Sequence, residues 1–187
     1  MIARYLDAAA LREPLRMTLR SRTPSRLPPG ATTAAAVLVP LFEREGQVHV
    51  WLLRRPTTMR SHGGQVAFPG GKTDAGESPL ATALREAEEE LGIRDSWVDV
   101  LGALDDQLTR TGFTITPWVG WLAPDVVIRP NPSEVARAFA PALRAFLEPS
   151  SVVRGREGWT VDGEWVWGAT AAILRSLAAV VAPFDSA

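Results

Sequence analysis

Five glutamates in one short segment carry the most distinctive chemistry of this 187-residue chain. The segment covers residues 71–93 and reads GKTDAGESPLATALREAEEELGI. On a helix that turns about 100° per residue, Glu86, Glu89 and Glu90 share one face, whereas Glu88 lies on another. Clustered carboxylates repel one another, and a hard divalent cation such as Mg²⁺ or Mn²⁺ relieves that repulsion because it prefers oxygen ligands. The charge pattern alone also fits a solvated acidic face. A glycine-rich loop that enters the helix favours the metal site.

The helix that must position these carboxylates has clear end signals. Ser78 is a good N-cap, Pro79 fits the first helical position and Gly92 supplies the stop. Four apolar residues at helical spacing predict the face that packs on a sheet: Leu80, Leu84, Ala87 and Leu91. On this prediction, the three clustered glutamates lie away from the core.

The other predicted elements alternate between strands and helices. An amphipathic helix is expected over residues 2–12, and an irregular basic arm with four prolines follows over residues 12–30. Hydropathy and turn residues then predict a hairpin over 33–53, strands over 66–68, 97–105 and 113–122, a helix over 133–146 kinked at a proline, a hairpin around Asp162-Gly163 and a helix over 169–181. The pattern predicts an α/β fold with an arm (1–30) and one domain (31–187) in which helices flank a mixed sheet.

Composition excludes several classes of protein. Apolar residues make up 46% and charged residues 22%, which is typical of a globular protein and not of a disordered one. A net charge of -1 argues against nucleic-acid binding by bulk electrostatics. Cysteine is absent, which excludes disulfides, thiolate metal sites and a cysteine nucleophile. The apolar runs are too short for a membrane helix and no targeting signal is visible, so we expect a cytoplasmic protein without membrane partners. A homodimer is left open.

Residues 71–93 resemble the Nudix box, G-x5-E-x7-R-E-U-x-E-E-x-G-U, in which U is aliphatic. Its fixed positions are occupied by Gly71, Glu77, Arg85, Glu86, Glu89, Glu90, Gly92 and Ile93, and Ala87 is a small occupant of an aliphatic position. The resemblance implies the Nudix α/β/α sandwich and hydrolysis of a nucleoside diphosphate linked to another group. It further implies that Glu86, Glu89 and Glu90, with Gly71 in the loop, bind Mg²⁺ or Mn²⁺. Arg85 would pair with Glu77 to hold the loop on the helix.

Hydrolysis of a diphosphate also needs a group that takes the proton from the attacking water. Glu89 or Glu90 could do this, as could a glutamate from a distant loop such as Glu134. For Glu134 we favour another interpretation, a carboxylate in the first turn of the predicted helix over 133–146.

Residues 52–71 resemble the signature of the coenzyme A pyrophosphatase branch of the Nudix family, L-L-T-x-R-[SA]-x3-R-x3-G-x3-F-P-G-G. Its later fixed positions match at Arg55, Arg60, Gly64, Phe68, Pro69, Gly70 and Gly71, whereas its start departs at Trp51, Leu53 and Pro56. The resemblance implies cleavage of coenzyme A or its derivatives to 3′,5′-ADP and 4′-phosphopantetheine or its acyl form. The alternatives are a Nudix hydrolase of ADP-ribose, NADH or another nucleotide, and a nucleotide-binding Nudix-like module without catalysis.

The residues of this segment suit a substrate with three phosphates. Arg55 and Arg60 are interpreted as phosphate contacts in preference to structural ion pairs. The neighbouring Arg54 points the other way along a strand and is assigned to a structural ion pair. His62 either touches substrate or hydrogen-bonds the loop. Gly64 and Phe68 complete the predicted substrate site, and Phe68 is expected to support the loop more than to stack on adenine.

Overall fold

Strands and short helices alternate along the chain. The computed structural model describes residues 6–28, 32–58, 63–153 and 155–184. Its elements are α1 (Ala8–Ser21), β1 (Thr33–Arg44), β2 (Gln47–Val50), β3 (Leu52–Arg54), β4 (Val66–Ala67), β5 (Gly70–Lys72), α2 (Pro79–Leu91), β6 (Val98–Ala103), β7 (Gln107–Leu108), β8 (Phe113–Leu122), β9 (Arg137–Phe139), β10 (Ser151–Val153), β11 (Arg156–Val161), β12 (Glu164–Trp167) and α3 (Gly168–Val181). Short 3₁₀ turns cover Asp95–Trp97, Leu143–Phe146 and Ala182–Phe184.

The main sheet is mixed, as predicted. Its strand order is β2-β1-β8-β6, and β5 and β7 add to β1 and β8. Strands β1 and β8 run parallel from the Thr33–Phe113 pair onwards, whereas the other pairs in this sheet are antiparallel. Two smaller antiparallel sheets have the orders β4-β3-β9 and β10-β11-β12. Strand β3, which ends just before Arg55, therefore belongs to a different sheet from the preceding strand β2.

Helices cover both faces of the main sheet. Along β1, Val37 and Val39 face the apolar cluster that contains residues of α1 and α3. The alternate residues Ala36 and Leu38 face a second cluster that contains Ala83, Ala87 and Leu91 of α2. Successive side chains of a strand point to opposite faces, so one apolar run serves both layers. This arrangement confirms the predicted α/β/α sandwich. No helix in the described residues is long and apolar enough to span a membrane.

The N-terminal helix ends later than predicted. It spans Ala8–Ser21 and continues through Pro14 into the segment that is predicted to be irregular, whereas residues 2–5 of the helix predicted over 2–12 lie outside the described residues. Asp7 caps it by accepting a hydrogen bond from the Ala9 amide at 2.9 Å. Three leucines at helical spacing are buried on the sheet, namely Leu11, Leu15 and Leu19. Their burial outweighs the local cost of a proline inside the helix.

The predicted helix over residues 133–146 is wrong. The segment forms a turn, the strand β9 and a 3₁₀ turn. Asn131 starts the turn, since its side-chain oxygen accepts bonds from the amide and hydroxyl of Ser133. The Ala136 amide then donates to the Arg54 carbonyl at 2.8 Å, and pairing with β3 follows. Strand pairing with a distant segment has replaced the local helical pattern.

Candidate active site

Helix α2 has the ends that its sequence predicts. The Ser78 hydroxyl accepts from the Ala81 amide at 3.2 Å, Pro79 occupies the first turn, and Gly92 ends the helix with a φ of 70°. The buried face of the helix is rotated by roughly 60° from the predicted one. Leu80 and Leu84 are only half-buried, whereas Thr82, Ala83, Ala87, Glu90 and Leu91 are buried. One of the predicted carboxylates therefore lies in the packed face of the helix.

Glu77 and Arg85 form the contact expected between the loop and the helix. Arg85 donates from Nε to Glu77 Oε1 at 3.0 Å and from Nη2 to Oε2 at 3.1 Å, a two-pronged contact. The buried Thr82 hydroxyl also donates to Glu77 Oε2, at 2.8 Å. The hydrogen bonds from Arg85 and then Thr82 lower the pKa of Glu77 to about 2, so this carboxylate remains charged.

The same guanidinium holds two further carboxylates. Arg85 Nη1 donates to Glu86 Oε1 at 3.0 Å and to Glu89 Oε2 at 3.3 Å. Glu86 is largely buried, whereas about half of the Glu89 side chain is exposed. Arg85 thus joins three acidic residues that would otherwise repel one another.

Glycines 70 and 71 allow the loop strand to approach the carboxylates closely. A Cβ at Gly71 would collide with the carboxylate of Glu86. Gly70 has a φ of 159°, and a Cβ there would collide with the backbone of Ala36 and Val37 on the next strand. The Gly70 amide also donates to Glu90 Oε2 at 2.9 Å. A side chain at either position would push β5 away from the sheet or the helix.

Glu90 is fully buried and faces Arg55. Arg55 Nη2 lies 3.0 Å from Glu90 Oε1 and donates its hydrogen bond to the Gly70 carbonyl at 2.9 Å. Glu90 Oε1 itself has no hydrogen-bond partner among the described residues. Burial raises the pKa of Glu90 to about 7, and the Arg55 charge and the Gly70 amide oppose that rise. The expectation that Glu90 lies on a face away from the core is therefore wrong.

The structure places the other predicted substrate residues in different ways. Arg55 and Gln65 close the loop before β4, since the Arg55 amide donates to the Gln65 carbonyl at 3.0 Å. Gly64 lies in this loop with a φ of 73°. Phe68 is buried in the core, which fits support of the loop.

Arg54 contacts Glu164 at 3.4 Å, as its structural assignment predicts. Arg60 and His62 lie outside the described residues.

The loop that carries Glu134 is attached to the end of α2. The Asn131 amide donates to the Glu90 carbonyl at 2.9 Å, and the Asn131 side-chain amide donates to Glu134 Oε1 at 3.2 Å. The charge of Glu134 contributes to the raised pKa of Glu90. The preferred interpretation of Glu134 as a first-turn helix residue is wrong, because β9 replaces that helix.

Two residues of this site were missed by the sequence reasoning. Thr82 supports Glu77 and Asn131 supports Glu134. Thr82 gave no distinctive local signal. The Asn-Pro-Ser sequence at 131–133 is a turn pattern and could have identified Asn131 as the start of a loop.

The site has the right atoms for a hard cation, although the arginines separate them. No three acidic or histidine side chains of the described residues converge in a metal-holding group. Arg85 contacts Glu86 and Glu89, whereas Arg55 contacts Glu90, so the three carboxylates are divided between two arginines. The donor set consists of carboxylate oxygens, and one buried oxygen, Glu90 Oε1, accepts no hydrogen bond from the described residues. These features fit Mg²⁺ or Mn²⁺ better than a softer metal.

Comparison with known proteins identifies the family. Residues 32–154 match the model of the NUDIX domain. The chain belongs to the Nudix family. It is 43% identical over 155 residues to the uncharacterized Nudix hydrolase NudL of Photorhabdus laumondii, a match that covers 77% of this chain and 82% of that protein. The NudL protein of Escherichia coli K12 is 41% identical over the same length, with 80% of that protein covered. This Nudix protein is accordingly an enzyme, a hydrolase of nucleoside diphosphate derivatives.

Solved structures agree on the fold of the Nudix chain. A Nudix hydrolase from M. smegmatis, RenU, superposes with a TM-score of 0.62 at 22% identity, over 81% of this chain and 87% of that one. A C. elegans Ap4A hydrolase binary complex gives a TM-score of 0.57 at 18% identity, over 81% and 98% of the two chains. At these identities the similarity concerns the fold alone.

Proposed function

We propose that this Nudix hydrolase cleaves the diphosphate of coenzyme A or a derivative in the presence of Mg²⁺ or Mn²⁺. The products would be 3′,5′-ADP and 4′-phosphopantetheine or its acyl form. One observation carries the proposal: Arg55 Nη2 lies 3.0 Å from Glu90 Oε1. The segment that resembles the coenzyme A signature therefore enters the same site as the carboxylate helix.

Glu86, Glu89 and Glu90, together with the Gly71 backbone, are the residues that would hold the divalent cation. When bound, the cation would neutralise the diphosphate and lower the pKa of a water molecule. Arg85 and Glu77 keep the loop on the helix and hold Gly71 opposite Glu86. Arg55 supplies a planar fork of donors to phosphate oxygens, and Arg60 is proposed as a second phosphate contact.

Glu134 is our first choice for the group that takes the proton from water. Its carboxylate accepts from the Asn131 amide, and its loop is attached to the Glu90 backbone. Glu89 Oε2, by contrast, accepts a hydrogen bond from Arg85, and Glu90 is buried against Arg55. A carboxylate without a guanidinium neighbour is the better proton acceptor, since a nearby cation stabilises its charged form.

A substrate screen tests the proposal directly. The enzyme would be incubated with Mg²⁺ and coenzyme A, dephospho-coenzyme A, ADP-ribose or NADH, and products would be identified by mass spectrometry. We expect coenzyme A to be cleaved fastest and 3′,5′-ADP to appear. Faster cleavage of ADP-ribose or NADH would assign another Nudix specificity. Binding without cleavage of any compound would contradict the enzymatic proposal.

A further inference from the structure

Two arginines neutralise the carboxylates of the site in different ways. Arg85 is anchored by the two-pronged contact with Glu77, so it keeps a carboxylate partner even if Glu86 and Glu89 move away. Arg55 differs from Arg85 in this respect. In the part of the chain that the structure describes, Glu90 is the one carboxylate with which Arg55 forms an ion pair, and its other side-chain contact is the neutral Gly70 carbonyl.

The Arg55–Glu90 pair is well shielded from water. The Glu90 side chain is 1% exposed and the Arg55 side chain 18% exposed. A carboxylate buried to this degree is costly to leave without a positive partner. Arg55 therefore supplies the charge that the buried oxygen Glu90 Oε1 requires while no other cation is present.

A divalent cation on Glu90 would compete with this guanidinium. The Arg55 nitrogen and the cation would both contact Oε1, which accepts no hydrogen bond within the part of the chain that the structure describes. Two positive groups at one buried oxygen repel each other strongly because the surroundings are poorly polarisable. Arg55 also acts electrostatically on Glu86, a second proposed ligand, so the conflict extends over both carboxylates.

We infer that Arg55 is the resident counter-ion of Glu90, and that it leaves this position when a divalent cation binds. The released guanidinium is then free to bind an anionic group of the substrate. This inference rests on the proposed function, in which Glu90 holds the metal. It assigns Arg55 two successive partners, a carboxylate before the metal binds and a phosphate afterwards.

A purely structural arginine at this position would not compete with a metal ion, whereas a counter-ion of Glu90 would. Removal of the Arg55 charge should strengthen metal binding in the absence of substrate, because the cation no longer displaces a competitor. The same change should weaken substrate binding, because the released donor is missing. The metal-free protein should also lose stability, since Glu90 is left buried without a partner.

The test measures Mn²⁺ binding without substrate for the wild type, Arg55→Met and Arg54→Met. The concentration of free Mn²⁺ would be measured by electron paramagnetic resonance under nitrogen. The pH would be 8.5, which is above the pKa of about 7 of Glu90. Arg54→Met is the matched control, because it removes the same charge from the adjacent residue, whose partner is Glu164. We expect Arg55→Met to bind Mn²⁺ about tenfold more tightly than the wild type, as for close charge pairs elsewhere. Arg54→Met should bind like the wild type.

Thermal unfolding provides a second measurement. Without metal, Arg55→Met should melt below the wild type, and saturating Mn²⁺ should raise its Tm by more than it raises that of the wild type. If Arg55→Met does not fold, Arg55→Gln serves instead, because its neutral amide keeps hydrogen-bonding capacity while the charge is gone. Equal or weaker Mn²⁺ binding in the Arg55 variants would overturn the inference. Absence of Mn²⁺ binding in every protein, the wild type included, would instead contradict the metal role in the proposed function.

Discussion

The two arginine–glutamate pairs of the site differ in position, burial and effect. Arg85 and Glu77 join a loop to the helix that follows it, and their contact lowers the pKa of Glu77 to about 2. Arg55 and Glu90 join two distant parts of the chain, and burial raises the pKa of Glu90 to about 7 despite the arginine. The same two residue types therefore form an ion pair with a permanently charged carboxylate at Glu77, and a buried pair at Glu90 whose carboxylate is more easily protonated.

The largest effect is expected at the buried pair. Glu90→Gln should lower kcat by orders of magnitude, because a neutral amide binds a hard cation more weakly than a carboxylate does. Steady-state kinetics at saturating Mn²⁺ would measure this loss. Glu88→Gln is the control, since Glu88 is exposed on another face of α2 and should leave kcat unchanged. Wild-type activity in Glu90→Gln would contradict the prediction that the Arg55–Glu90 pair matters more for catalysis than the Arg85–Glu77 pair.

A somewhat smaller loss is expected in the loop beside Glu90. Glu134→Gln should reduce kcat by about 100-fold, the usual contribution of a general base. Mn²⁺ affinity should stay that of the wild type, because the proposed ligands are unchanged. Kinetics and electron paramagnetic resonance would measure the two quantities separately. Weaker Mn²⁺ binding with normal kcat at saturation would make Glu134 a metal ligand instead of a base.

The Arg85–Glu77 pair, which is partly buried, should show a more modest effect. Arg85→Lys and Glu77→Gln should each reduce kcat/KM by about tenfold, since residues that orient metal ligands have effects of this size. Lysine cannot reproduce the two-pronged contact at 3.0 and 3.1 Å. The double variant should be little worse than either single variant, because both remove one interaction. Strictly additive losses would argue that the two residues act independently.

The smallest effect concerns stability and separates the pairs by sign. Glu77 has a folded pKa of about 2 below its ordinary 4.5, so it adds stability as pH rises from 2 to 4.5. Glu90 has a folded pKa of about 7, so the folded state binds more protons between pH 4.5 and 7, and stability falls as pH rises through that range. The fall is about 1–3 kcal/mol.

Urea unfolding of the metal-free protein between pH 3 and 8 would measure this dependence. Glu90→Gln should reduce the loss above pH 4.5, and Glu77→Gln should reduce the gain below it, to which Asp99 and Asp105 also contribute. Because burial also raises the pKa of Glu86, the difference between wild type and Glu90→Gln isolates the contribution of Glu90. Parallel profiles for the wild type and Glu90→Gln would contradict the assignment.

The parts of the site that sequence could predict are those set by local spacing. The caps of α2 and the Arg85–Glu77 contact follow from residues within one loop and one helix. The burial of Glu90 depends on β5 and Arg55, which reach the helix only in the folded chain. Helical periodicity identified the carboxylate face, and it could not show that one member of that face is enclosed by another segment.

The same distinction applies to the fold. The two hairpins were predicted because their turns combine residues that adopt positive φ, such as Asp162 and Gly163 with φ of 50° and 78°. The helix over 133–146 was predicted from local residues and is absent, because β3 offers a strand partner from far away in the sequence. The extension of α1 beyond residue 12 has a similar origin, since three of its leucines pack on the sheet.

The parallel pairing of β1 with β8 has a consequence for how activity arises during folding. The pair beginning with Thr33 and Phe113 joins residues about 80 positions apart, and β5, α2 and Arg55 all lie in the chain between them. Closing so long a loop is a slow step, because its entropy is lost before its contacts are gained. The carboxylate helix packs mainly on β1 and β5 and also reaches β8, so its complete packing includes the closed pair. After dilution from denaturant, native secondary structure should therefore return before the Mn²⁺ binding that we propose for this site.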